Sequence, residues 1–415
     1  MVQCRPVSNR EVKMKRPIAC LLLMVCLFNF TACWNPIGFI LHPLGGDHGF
    51  QDQNVDPLKD KKKEETKKPV TQAEMDAFVD NAMATMSLEQ KAGQLFLAIC
   101  PEDNPDYYAN EFQVGGYILQ ERDFASNILS ETQDVIKTYR SHVKIPMIIA
   151  VEEEGGDVVQ FSPYKAYCSS PFPSARELLS GGLEAVAEDA VSKAKIIKEL
   201  GINVNLAPLC DVSAVGSELY DRAAGLDTEG TSSYVAEVVK SYQNNGIDAV
   251  LKYFPGYANN MISNQTLSTD TRSLQELEAV DIPIYTAGID AGARCIMMSH
   301  LIVPSLDKNK PVSLSKAAYT YVRQTMGFQG VLITQDLEIE GILTRYNYHR
   351  DKIAIDAILA GADMVVTQST TVAVPGVIAA VKKGTISQER LDASVKRILK
   401  WKISLGLIDI SVPLV

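Results

Sequence analysis

The stretch Val186–Pro208, VAEDAVSKAKIIKELGINVNLAP, joins the two patterns on which the fold rests. Its first part, Val186–Leu200, is amphipathic, with Val186, Ala190, Ala194 and Ile197 on one helical face. Gly201 stands where such a helix must end. The run Asn203–Pro208 then reads as a short strand, and strands buried on both faces show such largely apolar runs. Outward in both directions the alternation repeats. Further strands are expected near Leu95–Ile99, Gly116–Leu119, Pro146–Val151, Ala249–Tyr253, Cys295–Ser299, Val331–Thr334 and Met364–Thr367. Amphipathic stretches lie between, among them Tyr234–Tyr242 and Lys316–Thr325. Ser87-Leu88-Glu89-Gln90 is a capping-box start for another helix, and Gly246, Gly327 and Gly361 mark helix ends. About eight strands alternating with helices predict an α/β fold, a single-domain (β/α)8 TIM-type barrel. A doubly wound open sheet is the structural alternative. No GxGxxG or GxxxxGK[ST] loop supports a nucleotide site. In such barrels chemistry sits at the C-terminal ends of the strands.

Composition narrows the function. The 415 residues are 46% hydrophobic, enough for a sizeable core, and the net charge of −10 argues against nucleic acid as a partner. Cys4, Cys20, Cys26 and Cys33 crowd the start, while Cys100, Cys168, Cys210 and Cys295 are scattered. That spacing indicates neither a disulfide framework nor a zinc site.

The N-terminus reads as an address. Lys13, Lys15 and Arg16 precede the apolar run Ile18–Ala32, shorter than the ~20 residues of a membrane span. The run ends Phe30-Thr31-Ala32-Cys33, which resembles a bacterial lipobox with Cys33 as the lipidated residue. Residues 1–33 are therefore expected to be a lipoprotein signal peptide, with Met14 as a natural start. Two acyl chains on Cys33 would hold the protein at a membrane in the cell envelope. Residues 34–70, with their run Lys59–Lys68, are expected to be a disordered tether, and 71–415 the barrel domain.

The strand ends carry a family resemblance. Ile149–Gln160, IAVEEEGGDVVQ, resembles the I-A-V-D-Q-E-G-G-R-V-Q segment of glycoside hydrolase family 3. Leu200–Pro208 is similar to its L-G-I-N-V-N-x-A-P strand, and Asp221–Asp227, DRAAGLD, to its D-R-S-F-G-x-D loop. Leu251–Tyr257, LKYFPGY, parallels L-K-H-F-P-G-H. Gly327–Glu338, GFQGVLITQDLE, parallels G-F-x-G-V-V-I-S-D-D-L-E. Order and spacing hold from about Ala92 to Gly406. Within the family the chain most resembles single-barrel β-N-acetylhexosaminidases, several of which are envelope lipoproteins.

That resemblance implies retaining hydrolysis, with an attacking carboxylate and a separate proton donor. The family nucleophile position holds Gln335 here, and an amide is a poor nucleophile. Asp336 is adjacent, but neighbouring strand residues point to opposite sides. Asp336 reaches a sugar only if the backbone bulges; otherwise it is expected to cap the following turn. The family's acid/base dyad lies in a D-S-H triplet that aligns with Ser263-Asn264-Gln265. Ser263 and Gln265 do not titrate near neutral pH, and no His occurs between His142 and His300. The two His of K-H-F-P-G-H are Tyr253 and Tyr257. The family reaction is therefore expected to be lost.

Binding residues are partly retained. The resemblance places Arg222 and Lys252 on sugar hydroxyls, with Glu152 where the family has Asp and Tyr253 beside them. Alternatively, Arg222 and Lys252 pair with Glu152 and Asp227 as an interior ion network. His300 matches a family His and is expected to be a supporting or core residue. Tyr253 and Tyr257 either stack on a sugar or fill space. Glu152, Glu153 and Glu154 are consecutive, so a strand cannot turn all three to one metal ion, and the resemblance implies no cofactor. Three readings stay open: a degenerate hydrolase binding an N-acetylglucosamine-containing envelope glycan, an active hexosaminidase using Asp336, and an interaction scaffold with a vestigial pocket.

Overall fold

A computed structural model describes residues 71–414; the expected signal segment with Met14 and Cys33, and the tether 34–70, lie outside the described residues. Local chemistry sets the first elements. Ser87 Oγ accepts from Gln90 N at 3.2 Å, and Gln90 Oε1 accepts from Ser87 N at 2.8 Å, so the capping box starts the helix Leu88–Gln94. The helix Gly182–Leu200 stops at Gly201, which takes φ 86°, a left-handed turn that a side chain resists.

Eight strands follow in order: β1 (Phe96–Ile99), β2 (Gly116–Leu119), β3 (Ile148–Val151), β4 (Val204–Asn205), β5 (Asp248–Phe254), β6 (Cys295–Met298), β7 (Val331–Asp336) and β8 (Met364–Thr367). All pair in parallel with their sequence neighbours, and β8 returns to β1 through Leu97↔Val366. The sheet is a closed (β/α)8 barrel, and the open-sheet alternative is excluded.

Two expectations need correction. The strand expected over Asn203–Pro208 contracts to Val204–Asn205. The Asn203 side chain takes the Ile149 amide and the Arg140 guanidinium, and Pro208 has no amide to give a ladder. The helix expected over Lys316–Thr325 is α-helical only to Thr320; Tyr321–Thr325 widens to a π turn, with Met326 N donating to Tyr321 O.

The floor of the barrel is tied by buried polar contacts at the N-terminal ends of the strands. Asp248 accepts from Arg294 Nη1 and Trp401 Nε1, both at 2.5 Å. Asp363, just before β8, accepts from Arg323, Arg397 and Ser394. Lys402 Nζ donates to Gln94 Oε1 at 2.5 Å, and burial pulls its pKa down to about 7. Trp401, Lys402, Arg397 and Ser394 all belong to the helix Gln388–Ser404, which thereby closes the floor. The opposite end, where β3, β5, β6 and β7 finish, is left for the site. Among the described residues no helix is long and apolar enough to cross a membrane.

Candidate active site at the mouth of the barrel

β3 runs into Glu152-Glu153-Glu154, and the strand's alternation separates the three. Glu153 is fully buried on the outer side, where it accepts from Gln160 N, Phe161 N and Ser162 Oγ. Glu152 and Glu154 both turn to Lys252 on β5, with Nζ 2.5 Å from an oxygen of each. Arg222 grips Glu154 with two bonds, Nε to Oε2 at 3.0 Å and Nη2 to Oε1 at 2.6 Å. Two cations and two carboxylates thus form one network. Burial alone would raise the Glu154 pKa, but Lys252 and Arg222 outweigh it and hold the carboxyl well below its usual range. Burial alone would lower Lys252, yet Glu152 and Glu154 raise it above an ordinary lysine. The Lys252 side chain is wholly buried, whereas that of Glu152 keeps 31% exposure and faces the opening.

Asp227, expected as a partner in this network, does not join it. Its carboxylate caps the helix Thr228–Asn244 by accepting from Gly230 N at 2.9 Å. Glu154 takes that place. Its sequence signal was the period of two that puts residues 152 and 154 on one face.

Gln335 and Asp336 separate. The register of β7 against β8 shifts between Ile333 and Asp336, the irregularity needed to carry Asp336 off a simple strand course. Gln335 Oε1 accepts from Tyr257 Oη at 2.8 Å and from His300 N at 3.0 Å. The Asp336 carboxylate accepts from Glu338 N at 3.1 Å, capping the turn beyond β7. Burial pushes its pKa up to about 6. His300 is buried between Ser313 Oγ and the Asp336 carbonyl, each 2.7 Å away. Burial takes it down to about 4, so the ring is neutral at physiological pH.

Tyr253 and Tyr257 pack edge to face with ring centres 5.8 Å apart, both nearly buried. Tyr253 Oη donates to Glu152 Oε1 at 3.1 Å, and burial followed by the Glu152 charge pushes its pKa up to about 12. Burial also raises Tyr257. Neither phenol is a proton donor matched to neutral pH. Ser263-Asn264-Gln265 form an outer loop. Ser263 Oγ accepts from Gln265 N and Thr266 N, and Asn264 and Gln265 are exposed. No group of His, Cys, Asp or Glu suited to a metal ion occurs among the described residues.

The loop after β5 hangs on Asp211, whose Oδ1 accepts from Ala258 N at 2.6 Å while Oδ2 is buried without a partner. Burial pushes Asp211 up to about 7. A carboxyl raised this way favours folding when protonated, and its stability is lost as pH climbs from about 4 to about 7. Lys402 works oppositely. Its folded pKa of about 7 lies below the unfolded value, so stability rises as pH climbs through 7 and above. Between pH 6.5 and 7.5 the two offset each other. Asp211→Asn should therefore make stability rise across that interval, and Lys402→Met should make it fall, each by on the order of 1 kcal/mol. Urea midpoints at the two pH values measure this.

Residues 87–401 match the family model described as the glycosyl hydrolase family 3 N terminal domain. A β-hexosaminidase of Xanthomonas campestris is 28% identical over 264 residues, covering 61% of this chain and 76% of that one. An uncharacterized secreted glycosyl hydrolase of Arthroderma benhamiae is 29% identical over 347 residues, covering 79% and 96%. Among solved structures, a family 3 β-N-acetylglucosaminidase from a Paenibacillus species superposes with a TM-score of 0.71 at 25% identity, covering 78% of this chain. The chain spans 63% of that larger protein. It therefore belongs to glycosyl hydrolase family 3, as a β-hexosaminidase-like form of that family's N-terminal barrel.

Proposed function

We propose that this protein binds an N-acetylglucosamine-containing glycan at the barrel mouth and does not hydrolyse it. One observation carries the reading. At the position that the family resemblance gives to the attacking carboxylate stands Gln335, a neutral amide whose oxygen already accepts from Tyr257 and His300. It can neither attack an anomeric carbon nor balance the charge that develops there. The proton donor is missing as well, since Ser263 and Gln265 replace the residues that the family resemblance places there. Loss of general acid assistance alone costs about 10²–10⁴ in rate. Glu152 and Arg222 still present hydrogen-bonding groups at the opening, with Lys252 and Tyr253 behind them, and these support sugar recognition.

The test compares the purified protein with Asp336→Asn on an aryl β-N-acetylglucosaminide, alongside calorimetric titration with N-acetylglucosamine. Equal background rates together with measurable binding are expected. Turnover lost in Asp336→Asn would overturn the reading and make Asp336 a recruited nucleophile. Absence of binding would leave the mouth vestigial and the barrel a scaffold.

We also propose that the protein is a lipoprotein of the cell envelope, anchored at Cys33 after removal of residues 1–32. The basic start, the short apolar run and the lipobox-like Phe30–Cys33 support this, as does the secreted relative. Cys33→Ser should move the protein from the membrane fraction to the soluble extract, because stable anchoring needs two acyl chains. Retention on the membrane would overturn the anchor.

A further inference from the structure

The floor of the barrel, the end away from the mouth, carries a groove of about 300 Å³. Arg397, Lys400 and Trp401 line it from one face of the helix Gln388–Ser404, at the spacing that stacks side chains along a helix. Gln72 and Met75 line it from the helix Gln72–Thr85. Arg294 is added just before β6, and Gln329 just before β7. Among the described residues, three cations and two amides line this groove and no carboxylate does.

The carboxylates behind the groove are too few for the cations they serve. Asp248 takes Arg294, and Lys400 shares Asp76 with Lys396. Asp363 takes both Arg323 and Arg397, and through Ser394 it also meets Arg390. Three guanidinium groups thus crowd one carboxylate. Burial, together with Arg397 and Arg390, pulls the Arg323 pKa down to about 10 against the pull of Asp363. Such an excess of positive charge stands out in a chain of net charge −10. The groove's cations also have donors to spare. Arg294 bonds Asp248 and Gln243 through Nη1 alone, and Arg397 bonds Asp363 and the Ala393 carbonyl through Nη1 alone. Nε and Nη2 of each are left for a further acceptor. The side chains are 40% exposed for Arg294 and 29% for Arg397 and Lys400, so a solute can reach them. Two guanidinium forks beside an ammonium are the chemistry that recognises phosphate. The groove exceeds the size of one phosphate, and Met75 and Val331 give it apolar surface, so it suits a phosphate carried on an organic group.

We propose that this groove binds a phosphate ester, and that its occupant is the headgroup of an anionic phospholipid. The chain itself points to that source. The segment that leads from Cys33 joins the barrel domain at Gln72, which lines the groove. A floor seated on anionic headgroups turns the mouth away from the lipid. The choice of a lipid rests on the proposed anchor; the anion site does not.

The experiment titrates the full protein, in neutral detergent micelles, with phosphatidylglycerol, phosphatidylcholine and glycerol phosphate. Phosphatidylglycerol should bind at least about tenfold tighter than phosphatidylcholine, whose ammonium cancels the phosphate charge. Arg397→Gln with Lys400→Gln should weaken phosphatidylglycerol about tenfold or more, the scale of hydrogen bonds to a charged group. Asp363 keeps Arg323 and Asp76 keeps Lys396 in that variant, so neither carboxylate is stranded. Asp76→Asn frees Lys400 and should tighten binding severalfold. Lys308→Gln with Lys352→Gln removes the same charge from exposed positions outside the groove and should change nothing. Binding indifferent to the groove substitutions, or weakened equally by the outside pair, overturns the site. Glycerol phosphate that binds as tightly as the phospholipid, and is lost with the groove substitutions, overturns the membrane as the source while the anion site stands. Cys33→Ser protein retained on the membrane overturns the anchor and leaves these titrations to decide the groove.

Discussion

Lys252→Met will cost about 3–5 kcal/mol of stability, the usual consequence of removing one partner from a buried ion pair. The lysine Nζ lies 2.5 Å from both Glu152 and Glu154, and its side chain has no exposed surface. Methionine fills most of the volume but leaves two carboxylates facing each other with only Arg222 to balance them. Glu154, with 8% of its side chain exposed, has no water to turn to. Adding Glu154→Gln to the Lys252→Met variant should restore much of the loss, because it removes the uncompensated charge. Arg222→Ala should cost less, since the Arg222 side chain is 20% exposed and its departure admits solvent. Urea midpoints of the single and double variants measure these differences. A loss below about 1 kcal/mol for Lys252→Met would mean that the network is solvated in practice.

Gln335→Asp should create glycosidase activity that depends sharply on the leaving group. The substitution puts a carboxylate at the end of β7, one methylene shorter than the glutamine whose Oε1 accepts from Tyr257 and His300. As the glycosidic bond of a dinitrophenyl β-N-acetylglucosaminide breaks, the dinitrophenolate leaves as a stabilised anion that needs no proton. With it, a restored nucleophile should raise the rate by at least ~10²-fold over the parent protein. A substrate with an alkyl or sugar leaving group needs a proton donor, and nothing near Ser263 or Gln265 supplies one. On that substrate the gain should be smaller by about 10²–10⁴, the contribution of a general acid. Equal gains on both substrates would reveal a proton donor elsewhere in the mouth. No gain on either would mean that Asp at 335 is turned away from the sugar.

The barrel was legible because its strands are short apolar runs set at regular intervals, and such runs bury only in a parallel sheet covered on both faces. Helix ends were legible where glycine had to take a left-handed turn, as at Gly201. The length of β4 was not, because Asn203 gives its side chain to partners on other elements, Arg140 and the Ile149 amide. At the site, Arg222, Lys252 and Glu152 were found from their motifs, and the structure brings them together. Glu154 was not counted in the network, although the alternation of β3 already placed it beside Glu152. The contact between Tyr257 and Gln335 joins residues 78 apart in the chain, and no local pattern encodes it.

The pairing of β1 with β8, and the seating of the Gln388–Ser404 helix on the floor, have a consequence for biogenesis. The first strand of the barrel finds its second neighbour only when about nine-tenths of the chain has been made, since Leu97 pairs with Val366. Until then its far edge is unpaired and Asp248 lacks Trp401. Closure this late keeps the barrel from completing until nearly the whole chain has been made. The same closure makes truncation unforgiving: a chain interrupted before residue 388 would emerge on the far side without a floor.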